Sequence, residues 1–248
     1  MTRSKVPEIT ALFWIIKVLT TGMGETTSDF FVRNFDPIVA VLVGFVVFVA
    51  ALILQFAMKR YIPAVYWFAV VMVSVFGTMA ADVTHIVLGV PYFASTAAFA
   101  VALAVIFLVW HRVEGTLSIH SIITPRREAF YWATVLVTFA LGTAVGDLTA
   151  TTLHLGYFAS GIVFALVITI PAIAFRFFSL NAVGAFWFAY IVTRPLGASF
   201  ADWMGVSSAR GGLAWGTGAV SLAIAAIIIA LVAVLGVRST RESRLEVG

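Results

Sequence analysis

The stretch from Trp14 to Asp29, WIIKVLTTGMGETTSD, contains the pattern on which the rest of the chain is built. Nine residues separate its Trp from a Gly, and four more separate that Gly from an Asp. The same pattern occurs without gaps at residues 67–82, 132–147 and 187–202, and an aromatic residue precedes the Trp each time. Three fixed positions that match in four copies indicate an internal repeat.

The composition is that of a membrane protein. Of the 248 residues, 62% are hydrophobic and only 10% are charged, whereas a soluble domain carries about 25% charge. The chain has no Cys, so any metal ion would be held by Asp, Glu, His or backbone oxygen. The net charge of +4 does not indicate nucleic acid as a partner, because the basic residues cluster in loops and termini.

Eight segments are candidates for spanning helices, which need about 20 apolar residues each. Four of them contain no charge and lie at residues 38–57, 94–110, 158–175 and 218–237. The other four carry the Trp–Gly–Asp pattern and lie at residues 9–29, 64–89, 129–154 and 182–203. Charged and uncharged segments alternate, so the chain reads as four helical hairpins.

The distribution of basic residues predicts the topology. Only two, Arg33 and Arg210, lie in loops within a hairpin. Eleven lie in the termini or between hairpins: Arg3, Lys5, Lys59, Arg60, Arg112, Arg126, Arg127, Arg176, Arg238, Arg241 and Arg244. By the positive-inside rule, both termini are then cytoplasmic and all four hairpins enter the membrane from the same side.

These observations predict an all-α integral membrane protein with eight transmembrane helices, arranged as four parallel helical-hairpin repeats. The repeats occupy residues 1–62, 63–127 with a central cytoplasmic linker, 128–181, and 182–248 with a basic tail. The charged helices are expected to face inward, around a pseudo-fourfold or nested twofold axis, with the uncharged helices towards lipid.

Each charged helix brings one Asp into the membrane: Asp29, Asp82, Asp147 and Asp202. Each Asp follows its Trp by fifteen residues, which is about 22 Å along a helix. The four carboxylates are therefore expected at similar depth in the outer half of the bilayer. Rings of carboxylates select cations in pores. The alternative is that each Asp caps a broken helix or bonds a neighbouring hairpin.

One turn before the Asp stand Glu25, Thr78 and Thr143, whereas the last repeat has Ala198. Residues four apart share a helix face, so three repeats add an oxygen ligand, and His85 shares a face with Asp82. The predicted ion ligands are Asp29, Asp82, Asp147, Asp202, Glu25, Thr78, Thr143 and His85. For a divalent metal the predicted ligands are Asp82, His85, Asp147 and Glu25. Alternatively, His85 bonds a loop carbonyl.

Two basic residues lie inside the charged helices and are the candidate counter-ions. Lys17 follows its Trp by three residues and is expected to snorkel to the cytoplasmic surface. Arg194 lies deeper and is expected to pair with Glu25, Asp82 or Asp147, because charges buried in membranes pair.

The remaining repeat positions are interpreted structurally. The Trp is expected at the headgroup level, where an amphipathic ring anchors a helix. The mid-span Gly favours close helix packing over local unwinding.

The stretches KVLTTGMGETTSD, ending at Asp29, and RPLGASFAD, ending at Asp202, resemble a bacterial family of predicted membrane-anchored proteins. That family is built from a membrane repeat of unknown function, usually in four copies. The resemblance extends over residues 17–237. It implies a multi-span protein of the bacterial cytoplasmic (inner) membrane and supplies no established activity.

We expect a transporter or channel for a small solute, with a divalent metal ion or a proton-coupled substrate as the first candidates. No catalytic residue or resident cofactor is predicted. The expected partners are the bilayer and a small ionic solute, not nucleic acid, and the oligomeric state is open. The alternatives are an intramembrane enzyme, a small-molecule or lipid-binding protein, and a non-transporting scaffold. The chain has no nucleotide-binding Gly loop, zinc-protease motif or nucleophile elbow, which disfavours an enzyme.

Overall fold

The computed structural model describes residues 4–245, with side chains to residue 238. This part of the chain forms α1 (Ala11–Asn34), α2 (Pro37–Ala57), α3 (Pro63–Asp82), α4 (Tyr92–Glu114), α5 (Pro125–Asp147), α6 (Tyr157–Val167), α7 (Thr169–Phe177), α8 (Ala182–Gly205) and α9 (Thr217–Leu245). Five-residue π-helical turns, Val83–Val87 and Leu148–Thr152, extend α3 and α5. Arg3 and the side chains of Arg241 and Arg244 lie outside the described residues.

Local sequence determines where the helices begin. Thr10, Asp36, Thr124 and Asn181 each accept a hydrogen bond from a backbone N–H of the helix that follows. Short polar side chains take this N-cap position because the first helical N–H groups have no partner within the helix. α2, α3 and α5 each begin with Pro, whose missing N–H costs nothing at that position.

Six segments of the described chain are long and apolar enough to cross a membrane, which is the build of an integral membrane protein. They are Pro37–Ala57, Pro63–Val87, Tyr92–Glu114, Pro125–Thr152, Tyr157–Phe177 and Thr217–Arg238. α1 and α8 have 24 residues each, about 36 Å of helix, and fall outside this set.

Four helices, α1, α3, α5 and α8, form a closed ring and are called the inner helices. α1 packs against α3, α3 against α5, α5 against α8, and α8 against α1. In the two apolar spans that include α3 and α5, 67% of the most apolar stretch is buried. In the other four apolar spans, the buried share is 17–22%. The expectation that the charged helices face inward is confirmed, and their arrangement is pseudo-fourfold.

The outer helices are α2, α4, α6 with α7, and α9. Each packs mainly on the inner helix of the following repeat: α2 on α3, α4 on α5, and α6 on α8. The last outer helix, α9, packs on α1 and so joins the last repeat to the first. A hairpin is therefore a unit of the chain but not a unit of packing, because its two helices lie mainly against different neighbours.

The four repeat glycines are the points of closest approach in the ring. Each lies against the residue that stands three positions before the Gly of the next repeat: Gly24 against Ser74, Gly77 against Phe139, Gly142 against Arg194, and Gly197 against Thr21. A Cβ on Gly197 would lie 2.6 Å from the carbonyl oxygen of Val18. Because the same two positions meet at all four interfaces, the inner helices run parallel and in register. The packing interpretation of the Gly is confirmed.

One predicted helix is broken. Residues 158–175 are expected to form a single span, and Tyr157–Phe177 is long and apolar enough for one, but within it α6 ends at Val167 and α7 begins at Thr169. Pro171 explains the break, because it has no N–H to donate to the carbonyl of Val167 and its ring crowds that carbonyl.

Candidate functional site

Eight aromatic side chains fill the ring where the inner helices begin, and we call this set the aromatic layer. Each Trp packs against the aromatic residue from the preceding repeat. The pairs are Trp67 with Phe13 at 5.7 Å between ring centroids, Trp132 with Tyr66 at 5.7 Å, Trp187 with Tyr131 at 6.2 Å, and Trp14 with Phe186 at 5.6 Å. The layer closes this end of the ring with packed rings.

The expectation that the Trp residues anchor at the headgroups is therefore wrong for three of the four, whereas Trp14 is partly exposed. Trp67, Trp132 and Trp187 are at most 4% exposed. Each ring finds a neighbouring aromatic surface inside the bundle, and offset or edge-on aromatic pairs are favourable beyond the area they bury.

A second layer, the arginine layer, lies at the centre of the ring. The Arg194 side chain of α8 is fully buried, and its Nη2 lies 2.6 Å from Glu25 Oε2 and 2.7 Å from Thr143 Oγ1. The same nitrogen donates to Thr78 Oγ1, and Nη1 donates to the backbone oxygen of Thr21 at 3.3 Å. One guanidinium thus ties together all four inner helices.

The arginine layer brings together three of the predicted ion ligands. Glu25, Thr78 and Thr143 stand one turn before their Asp residues and converge as their spacing predicts. The pairing of Arg194 with Glu25 is also confirmed. These oxygens surround the guanidinium of Arg194. A side chain of the protein therefore occupies the position at which the sequence predicted a bound ion.

Lys17 does not snorkel, and this expectation is wrong. Its side chain is fully buried, and Nζ lies 4.2 Å from the ring centroids of both Phe139 and Tyr190. Within the described residues the ammonium has no hydrogen-bond acceptor. The Phe139 ring also lies 5.4 Å from the Arg194 guanidinium carbon, so one ring contacts both buried cations. Attraction to the two ring faces holds the ammonium inside the bundle.

The four repeat Asp residues lie at the carboxyl ends of the inner helices, and we call this region the acidic mouth. Asp29 pairs with Arg33 at 2.6 Å, and Asp82 accepts a hydrogen bond from Ser28 at 3.5 Å. Asp202 is only 7% exposed and forms no hydrogen bond or ion pair through its side chain within the described residues.

Charges at the mouth interact with one another and with the arginine layer. Asp82, Asp147 and Asp202 all interact electrostatically with Glu25. Arg210 interacts with Asp29 and Asp147 from the loop before α9. The repeat thus places its carboxylates close enough to act as one electrostatic site, although they have different partners.

His85 contacts a loop carbonyl, which is the alternative to pairing with Asp82. Nδ1 lies 3.0 Å from the carbonyl oxygen of Val90, Nε2 lies 3.3 Å from Ser95 Oγ, and the ring packs at a tilt against Tyr92 with centroids 4.0 Å apart. Both ring nitrogens are therefore engaged away from Asp82. The π-helical turn that starts directly after Asp82 changes the helical phase and removes the shared face on which the pairing was predicted.

The described side chains contain no group of three or more His, Asp or Glu residues arranged to hold a metal ion. The ligand set Asp82, His85, Asp147 and Glu25 stays a prediction for a substrate ion. Its His85 has other partners in this structure.

Sequence reasoning missed the role of the position seven residues after each Trp. It holds Thr21, Ser74, Phe139 and Arg194. All four lie against a repeat Gly, and three of them contact a buried cation or are one. The four side chains share no residue type, so the sequence did not single this position out, and its role follows from the contacts with the neighbouring Gly in the structure.

The fold and the site define an integral membrane protein with a fourfold internal repeat and a charged interior. The family model described as Repeat of Unknown Function (DUF347) matches four times, at residues 12–61, 65–116, 130–179 and 185–241. The chain belongs to this family, which confirms the four-copy repeat. Neither the curated proteins nor the solved structures gave a significant match.

Proposed function

We propose that the protein is a carrier for a small cation, coupled to the movement of protons. The observation that carries the proposal is the arginine layer. Oxygens from α1, α3 and α5, arranged as ligands for a cation, are occupied by the guanidinium of Arg194. We regard Arg194 as a tethered cation that fills the site while the site has no substrate.

The acidic mouth supports a cationic substrate. Four carboxylates at one end of a low-dielectric bundle raise the local concentration of cations, as rings of Asp and Glu do in cation channels. Asp202 and Asp147 form no hydrogen bond or ion pair through their side chains within the described chain. Their lone pairs are therefore available to an incoming ion or a proton.

The arginine layer favours a carrier over an open channel. A fixed positive charge on the axis repels a cation that enters from the mouth, and the aromatic layer closes the other end. A charge left unpaired in a membrane interior is costly, so Arg194 stays on Glu25 until a cation or proton takes its place there. In this scheme, the substrate cation and Arg194 compete for Glu25, and a proton on a mouth Asp adjusts the balance.

The topology is part of the proposal. All eight segments cross the membrane, α1 and α8 at the centre, where their charges are shielded by the other helices. Both termini and the aromatic layer lie on the cytoplasmic side, and the acidic mouth opens on the opposite side. The loops on the proposed cytoplasmic side and the termini hold eleven basic residues, against two in the loops on the other side, which supports this orientation. We propose the bacterial inner membrane as the location.

The test is flux into liposomes that contain the purified protein, with a panel of divalent metal ions outside and a pH dye inside. We expect metal entry accompanied by a change of internal pH. Asp82→Asn and Asp147→Asn should each reduce the rate at least about tenfold, which corresponds to about 1.4 kcal/mol in the barrier.

The matched control is Asp36→Asn. Asp36 lies at the same end of the bundle but is exposed and caps α2, so its amide should transport at the wild-type rate. Full flux in both the Asp82 and the Asp147 amides would contradict the proposed site. Silence of the folded wild-type protein across the panel would instead favour an organic solute, an enzyme or a scaffold whose buried charges serve packing alone.

A further inference from the structure

An open groove of about 930 Å³ lies on the outside of the bundle between α3 and α9, with Met23 of α1 at its inner wall. α9 contributes residues at helical spacing, from Ala225 to Gly236. Small side chains such as Ala64 and Ala233 leave the groove open. The groove exists because α9 packs mainly on α1 and contacts α3 less.

The groove has the length of one lipid leaflet. Along α3 it extends from Pro63 to Met72, about 14 Å at the helical rise. The hydrocarbon core of a bilayer is about 30 Å thick, so half of it matches the groove. α9 is antiparallel to α3, because Gly218 at the start of α9 lies against Phe30 near the end of α1, and α1 and α3 run parallel.

One end of the groove is polar and basic. Ser4, Arg60 and Tyr61 line it, at the end of α3 where the apolar span begins. The backbone N–H of Tyr61 donates to the carbonyl oxygen of Ser4 at 3.2 Å, which holds the short loop in place. Tyr61 lines this end, but its hydroxyl is buried within the protein, so the exposed Arg60 is the group that an anionic headgroup would meet.

We infer that this groove binds an anionic phospholipid, with an acyl chain between α3 and α9 and the phosphate on Arg60. The combination is specific: an apolar slot of leaflet depth that ends at an exposed arginine complements a chain that ends in a phosphate. Basic pockets between membrane helices bind anionic headgroups in this way. The headgroup lies in the leaflet on the side of the chain termini.

A second groove provides an internal comparison. It lies among α1, α7 and α8, has a volume of about 480 Å³, and no charged residue lines it. The two grooves occupy equivalent positions around the ring. The first lies between α9, which packs on α1, and the next inner helix, α3. The second lies between α7, which packs on α8, and the next inner helix, α1. The second groove offers nothing to a phosphate, so headgroup selectivity should come from the Arg60 groove.

The test is native mass spectrometry of the full chain in detergent, titrated with dioleoyl phosphatidylglycerol or dioleoyl phosphatidylcholine. One basic side chain near an anionic headgroup contributes enough for about a fivefold preference. We expect wild-type protein to bind the first phosphatidylglycerol about fivefold more tightly than phosphatidylcholine. Arg60→Ala should remove this preference while leaving the chain folded, because Arg60 is exposed.

Three further variants separate the groove from general lipid contact. Ala233→Trp fills the groove and should remove the preferred lipid, whereas Ile227→Trp, at an exposed position on another face of the same helix that does not line the groove, should not. Arg112→Ala removes an exposed arginine that does not line the groove and should leave the preference intact. An undiminished preference in Arg60→Ala, or equal binding in both Trp variants, would overturn the inference. A protein dimer abolished by Ala233→Trp would also overturn it, because the occupant would then be a second copy.

Discussion

Replacing either Arg194 or Glu25 alone with an uncharged residue should destabilise the protein strongly, whereas replacing both together should not. Arg194→Met leaves the buried Glu25 carboxylate with the Thr78 hydroxyl at 3.5 Å as its hydrogen-bond donor. Glu25→Gln leaves the guanidinium, which is fully buried, with neutral partners only. Removing one partner of a buried ion pair costs about 3–5 kcal/mol, whereas replacing the whole pair is close to neutral.

These free energies predict shifts in melting temperature. Each single variant should melt about 6–20 °C below wild type, because 1 kcal/mol corresponds to about 2–4 °C for a chain of this size. The double variant should lose less than about 2 kcal/mol, so the coupling energy between the two sites is at least about 4 kcal/mol. Two sites in direct contact are expected to be non-additive.

Tryptophan fluorescence of the purified proteins in detergent during heating is a suitable assay. Trp67, Trp132 and Trp187 are buried in the aromatic layer and should report its opening. Arg112→Met is the control, because Arg112 is exposed and its loss should change stability by less than about 0.5 kcal/mol. Additive effects in the double variant, or single variants within about 1 kcal/mol of wild type, would refute the reasoning.

Other predictions concern packing and the remaining buried charges. Gly197→Ala should cost about 1–3 kcal/mol by overpacking against α1, whereas Gly184→Ala in the same helix, with open space around it, should cost nothing; melting temperatures compare them. Lys17→Met should leave the free energy of unfolding unchanged or raise it. The lost attraction to two rings, about 0.5–2 kcal/mol, is smaller than the desolvation cost of a buried ammonium. A large loss of stability would show that Lys17 has an ionic partner. In wild type the Lys5 ammonium lies 2.6 Å from the Glu128 carboxylate. Glu128→Ala removes this ion pair, which should free the segment around Lys5, so trypsin should cut after Lys5 faster than in wild type. Equal cleavage rates would contradict this.

Much of the architecture could be predicted from sequence. The alternation of charged and uncharged apolar segments predicted which helices are inside, because burying a charge against lipid is costly. The repeat register predicted that Glu25, Thr78 and Thr143 converge, since equivalent positions of parallel repeats lie at one level. The Gly packing followed from the same register.

The errors have a common physical origin. Lys17, the Trp residues and His85 were assigned from their own helices and from an assumed bilayer boundary, but their partners lie on other segments. Lys17 meets a ring from α5 and a ring from α8. Each Trp meets the aromatic residue of another repeat, and His85 turns away from Asp82 because it lies within a π-helical turn. The packing of each outer helix on the following repeat depends on how the ring closes, which helical periodicity within one segment does not encode.

Competition between Arg194 and a substrate cation for Glu25 is tested most directly by equilibrium binding of Mn²⁺ to purified wild-type and Arg194→Met protein, with free Mn²⁺ measured by its paramagnetic resonance signal. Arg194→Met removes the tethered cation and should tighten Mn²⁺ binding at least about tenfold, a difference of about 1.4 kcal/mol. Adding Glu25→Gln to Arg194→Met should remove that gain. Equal affinity in wild type and Arg194→Met, both shown to be folded, would contradict the account.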